Sequence, residues 1–188
     1  MKKSLFCVLS AAAVIGAALT STAASAAVTA NAGYSAPQAG DPDSTVTFTV
    51  TTGELSMTAP VSANLGSGAP GTTISGSLGT VTVTDDRALL SATWTATASS
   101  TDFTTGGATG NETIPAGDVT YTPGAITTTG NITATGTTVT LSSASQTTVS
   151  GTAGVGNNTA TWDPTLAVAV PAAAVAGLYA GTLTQSAA

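Results

Sequence analysis

The 188-residue chain carries only 6% charged and 4% aromatic residues, with nine Asp or Glu against three Lys or Arg, one Cys and no His. Nucleic acid is excluded as a partner on this count, because neutralising phosphate needs clustered Lys and Arg. A length near 190 suits one domain behind a leader, and so small a charged fraction leaves Thr, Gly and Ala to build most of it.

Lys2 and Lys3 precede an apolar stretch from Leu5 to Leu19, and Ala24 and Ala26 are spaced as an A-x-A cleavage site requires. Residues 1–26 are therefore read as a secretory signal peptide, which sends the chain out of the cell. The apolar run is too short for a membrane anchor, and Cys7 leaves with the leader. Arg87 is then the only basic residue facing nine acidic ones, a net charge of −8. No membrane association is expected after cleavage, since an anionic surface would repel such a chain. Without Cys, the exported chain must hold itself together by its core alone.

Residues 27–43, with Gly33, Pro37, Gly40 and Pro42, read as a flexible N-terminal segment. From residue 44 to 188 the pattern is that of a single β-sandwich domain. TVTFTVTT sets Val46, Phe48 and Val50 on one face with Thr on the other, as a half-buried strand does. ELSMTAPVSA continues extended to the glycines at 66 and 68. TTISGSLGTVTVT follows, with Leu78 in phase across a glycine bulge and Val81 and Val83 alternating. Asp85, Asp86 and Arg87 form a hairpin turn before ALLSATWTATAS, and the lone guanidinium pairs with one of the two carboxylates.

DVTYTP, GNITATG, TTVTLSS and TTVSGT are short strands separated by Gly or Pro. Leu166, Val168 and Val170 alternate up to Pro171, and a second run carries Tyr179 and Leu183, so the end reads as a β-hairpin partnered by the Trp94 strand. Short strands at near-regular spacing give the fold class: all-β, an antiparallel β-sandwich of Ig-like, Greek-key type. No stretch after the leader offers more than one helical turn.

Chemistry is limited by what is missing. A serine nucleophile needs His or Lys as base, and the exported chain has neither. The usual ligands for zinc, copper and haem are absent too, so no cofactor and no metal site is expected. Nine scattered acids could in principle supply a glycosidase pair, and Asp41 with Asp43 or Asp85 with Asp86 could ligate calcium. No spaced calcium loop accompanies them, and turn-forming Asp is the simpler reading. The chain is read as no enzyme. Trp94 and Trp162 are the candidates for stacking on a sugar ring, although Trp94 alternates with Ala92, Ala96 and Ala98 as a core residue does.

TVTVTDDRALLSATWTATASSTDF, TIPAGDVTYTPG and TLAVAVPAAAVAGLYAGTLTQS together resemble the WxL surface domain of Gram-positive bacteria, over Val81 to the C-terminus. Carried over by position, the first Trp-x-Leu motif falls on Trp94, Thr95 and Ala96, which keeps the Trp. The second falls on Gln185, Ser186 and Ala187, which keeps neither named residue. The resemblance implies a secreted, non-enzymatic surface protein that associates non-covalently with cell-wall glycan, peptidoglycan or a surface partner protein. The alternative is a structural or adhesin-like subunit whose Thr-rich strands, free of guarding Lys, add edge to edge into a fibre or surface layer.

Overall fold

The computed structural model describes residues 44–188; the expected signal peptide and the flexible 27–43 segment lie outside them. The chain divides into two units, Met1–Phe48 and Thr49–Ala188. Among the described residues, all regular structure belongs to the second. It comprises β1 (Leu55–Thr58), β2 (Thr73–Ser77), β3 (Val81–Ser100), β4 (Phe103–Thr104), β5 (Thr113–Ile114), β6 (Val119–Thr122), β7 (Ile126–Gly136), β8 (Val139–Thr140), β9 (Gln146–Trp162), β10 (Thr165–Ala169) and β11 (Leu183–Ala187). Two single 3-10 turns, Gly110–Glu112 and Ala116–Asp118, are the other regular elements described.

Every strand pair is antiparallel. One sheet runs β1-β3-β9-β7, with β11 also on β3; the second runs β2-β10-β6-β8; β4 and β5 form a small third ribbon. The class is all-β with two main antiparallel sheets, consistent with a β-sandwich. Alternation explains the layering. Val81 and Val83 are fully buried while the alternating Thr82 and Thr84 face outward, the period-two pattern of a sheet wetted on one side.

Two strands are far longer than the short ones expected, at 20 residues for β3 and 17 for β9. Their register slips between Asp85 and Leu89, again before Ala92 and Trp94, and between Ala96 and Thr97. Such bulges bend a strand. One core cluster runs along both halves of β3, taking in Val81 and Val83 before the bulges and Trp94 and Ala96 after them. Ala88 and Ala153, both at positive φ near this bend, take backbone shapes that side chains seldom adopt.

Two clusters fill the interior. The first gathers Val81, Val83, Trp94, Ala96, Val149, Ala160 and Trp162; the second gathers Val119, Tyr121, Leu141, Leu166 and Val168. The Trp162 indole N–H donates to Tyr121 Oη at 3.0 Å, and Tyr121 donates in turn to Gln185 Oε1 at 3.1 Å. This relay ties β9 and β11 of one sheet to β6 of the other.

Four expectations are corrected. Ser44–Thr52 forms no strand: period-two alternation supplies an apolar face, but a strand needs a neighbour to bond, and Val46, Phe48 and Val50 remain exposed. Asp85–Arg87 is no hairpin turn but a bulged stretch inside β3, because β9 keeps pairing on both sides of it. Leu78 does not continue one strand into Val81; Gly79, at φ +88°, separates β2 from β3, which lie in different sheets. The chain end is not a hairpin. β10 pairs with β2 and β6, whereas β11 crosses to the other sheet and pairs Leu183 with Ser100 through Ala187 with Ala96. Pro171, with no N–H to donate, ends the first run and starts that crossing.

Candidate functional site

Trp94 and Trp162, the expected ligand contacts, are 3% and 2% exposed. Neither presents an indole face to a sugar in this structure, which corrects that assignment. Trp94 faces Gly151 across β3 and β9, and a Cβ on Gly151 would meet the indole ring, with its Nε1 only 2.6 Å away. The large-against-small interdigitation is thus a packing device. Trp94 Nε1 is buried without a hydrogen-bond partner. A shallow depression of about 420 Å³ is bordered by Trp94, Gly151, Ala188 and the hydroxyl residues Thr93, Thr95, Ser150 and Thr152.

The Asp85–Asp86–Arg87 group resolves into one pair and one bystander. Arg87 Nε donates to Asp85 Oδ1 at 2.8 Å and Nη2 to Oδ2 at 2.9 Å, a two-point clamp. The backbone N–H of Arg87 adds a third bond to Oδ1 at 3.1 Å, and Nη2 also reaches Thr93 O at 2.9 Å. Asp85 is buried opposite Asn158, so the clamp neutralises a carboxylate inside the bulge. Hydrogen bonding from Arg87 holds its carboxyl below the usual carboxylate range against the opposing pull of burial. Asp86 takes no part; its backbone N–H and C=O bond Glu54 and Gly53 at the start of β1.

Two other acids serve the backbone. Asp102 Oδ1 accepts the Ala116 N–H at 2.8 Å. Glu112 Oε2 accepts the Thr109 N–H and hydroxyl at 3.0 and 2.7 Å, which draws its carboxyl down as well.

The feature that the residue types alone did not reveal is an array of hydroxyls on the outer face of the β1-β3-β9-β7 sheet. Directly opposed residues of antiparallel strands share a face. The register lines up Thr58, Thr82, Thr161 and Thr127 in one row and Ser56, Thr84, Thr159 and Thr129 in the next. Neighbours in a row are spaced by about 4.8 Å, and the rows by about 6.7 Å. Thr82 and Thr161 hydroxyls bond at 3.2 Å, and those of Thr129 and Thr159 also bond each other. Thr95, Ser150 and Thr135 repeat the alignment beyond the bulge. The signal was present in the sequence as three Thr-x-Thr steps, at 82, 127 and 159, but only the register joins them into a surface.

A cleft of about 210 Å³ opens elsewhere on the second unit, lined by Val61, Ala63, Leu65, Leu78, Phe103, Leu166 and Leu183 together with the polar Ser62, Thr182 and Gln185. It adjoins β11, whose only strand partner among the described residues is β3.

Comparison with protein families finds no family model that matches the chain. No curated protein and no solved structure matches it either. The resemblance to the WxL domain therefore stands on the quoted residues alone.

Proposed function

We propose that this chain is a secreted, non-enzymatic bacterial surface protein, an Ig-like, Greek-key sandwich that associates non-covalently with cell-wall glycan. The observation that carries the reading is the two-row Thr and Ser array on the outer sheet face. Each hydroxyl is both donor and acceptor, and each Thr adds a methyl group. A glycan strand presents the same mixture of hydroxyls and C–H faces. Matching it across the sheet face needs no charge to be desolvated, which suits a chain that bears net negative charge and meets an anionic wall. The carboxylates with assigned partners, Asp85, Asp102 and Glu112, serve Arg87 or the backbone, which also favours a non-catalytic role. The resemblance to the WxL domain supports the same reading on independent grounds.

The test is co-sedimentation of the secreted protein with isolated Gram-positive walls, with and without a calcium chelator. Thr127→Glu/Thr129→Glu alters the exposed ends of both rows without touching the core. Saturable binding that falls at least tenfold in this variant and ignores the chelator supports the glycan reading. Binding unchanged by the variant, or no binding by the unaltered protein, refutes it.

A further inference from the structure

Segment 45–52 combines two properties that conflict in a monomer. Its apolar residues alternate as a strand's do, yet it forms no strand, and Val46, Phe48 and Val50 are 83%, 86% and 74% exposed. Three large apolar side chains left exposed on an unpaired stretch are a costly surface, since each forgoes about 1.5–3 kcal/mol of burial. Backbone groups along the same stretch find no ladder. A strand of this composition is stable where it can add to another sheet's edge and push alternate side chains into an apolar groove.

The second unit offers such an edge. Among the described residues β11 pairs with β3 on one side only. Ala188 and Thr95 exchange both backbone bonds, so the N–H groups at even positions of β11 point to β3 and those of Leu183, Gln185 and Ala187 point away from it. No Lys, Pro or acid guards this edge. The cleft beside it, where Leu65, Leu166 and Leu183 share the lining with Ser62, Thr182 and Gln185, holds about 210 Å³, and a cavity of about 150 Å³ accepts a benzene ring. A Phe ring fits.

We propose that segment 45–52 of one molecule adds as a strand along β11 of a second copy, with Phe48 seated in the cleft bordered by Leu65, Leu166 and Leu183 and with Val46 and Val50 flanking it. Donor and acceptor are different surfaces of the same chain, so the contact is head-to-tail and, unless it closes into a ring, propagates into a filament. Such assembly would repeat the Thr-rich face along its length and multiply weak glycan contacts, although it does not depend on them.

Sedimentation velocity of the full secreted chain across a concentration series tests this. The unaltered protein is expected to grow in mass beyond a dimer. Phe48→Asp removes the donor, and Ala63→Trp or Val61→Asp blocks the acceptor; all three positions are exposed, so the fold is undisturbed. Each variant alone should remain monomeric. Phe48→Asp mixed with an acceptor-blocked variant should restore a one-to-one dimer and nothing larger, because one intact donor and one intact acceptor remain. A monomer at every concentration, assembly that survives Phe48→Asp, or a mixture that stays monomeric would each overturn the proposal. Wall binding is read separately, so loss of the Thr-face reading leaves this result standing.

Discussion

Replacing Arg87 by Met should cost far more than the loss of a surface charge. An exposed ion pair contributes about 0–1 kcal/mol, and Arg87 is itself partly solvated, with its side chain 28% exposed. Its partner decides the outcome. The Asp85 side chain is 1% exposed, and two of the three bonds to its carboxylate come from the guanidinium. Removing that group leaves a buried carboxylate with one backbone N–H, a change that typically costs 3–5 kcal/mol; the partial solvation of Arg87 places it near the lower end, about 3 kcal/mol. Urea denaturation at pH 7 measures it.

The pH dependence gives the sharper check. In the unaltered protein Arg87 lowers the folded pKa of Asp85, so its contribution is fully present above the unfolded value near ~3.9 and is lost as pH falls through the lower folded value. In Arg87→Met the backbone N–H of residue 87 still bonds the carboxylate, but burial is the larger effect and lifts the folded pKa above the unfolded one. Stability is then regained as pH falls, and the gap between the two proteins narrows on acidification toward the unfolded value. Arg87→Met/Asp85→Asn should recover much of the loss. A cost under ~0.5 kcal/mol with no change in pH slope would refute the reasoning.

Three other outcomes follow from the packing. Gly151→Ala drives a methyl into the Trp94 ring and should destabilise by at least about 1–3 kcal/mol in denaturant melts, whereas Thr152→Ala, one residue on and exposed, should cost under ~0.5 kcal/mol. Tyr121→Phe strips the relay of its hydroxyl and leaves Trp162 Nε1 and Gln185 Oε1 unpaired, a loss of about 2 kcal/mol together with a changed near-ultraviolet Trp signal. Glu112→Gln should speed amide exchange at Thr109, and in the unaltered chain the same protection should fade as acid protonates Glu112, whose pKa is held low by Thr109.

The all-β class was legible because alternation is local: Val81 and Val83 against Thr82 and Thr84 announce a strand and its buried face without any partner. Trp94 was legible as core from its small neighbours, and so was a pair between Arg87 and an adjacent Asp. Pairing was not legible, because it depends on residues far apart in the chain. β11 and β10 are close in sequence and equally alternating, yet they belong to different sheets, and nothing local distinguishes that from a hairpin. The length of β3 was hidden for a related reason. Its bulges look like turns until β9 is seen pairing on both sides of them. The Thr rows fail the same test, since each strand carries two or three hydroxyls and only the register makes them a surface. Segment 45–52 shows the converse, a sound local strand pattern that this chain alone does not pair.

Binding through the hydroxyl face is tested most directly by following Thr methyl resonances while soluble peptidoglycan fragments are titrated into the protein. Shifts concentrated on Thr58, Thr82, Thr84, Thr127, Thr129, Thr159 and Thr161, saturating together, are the expected result. Shifts that cluster around the cleft beside β11, or no shifts at saturating fragment, would contradict it.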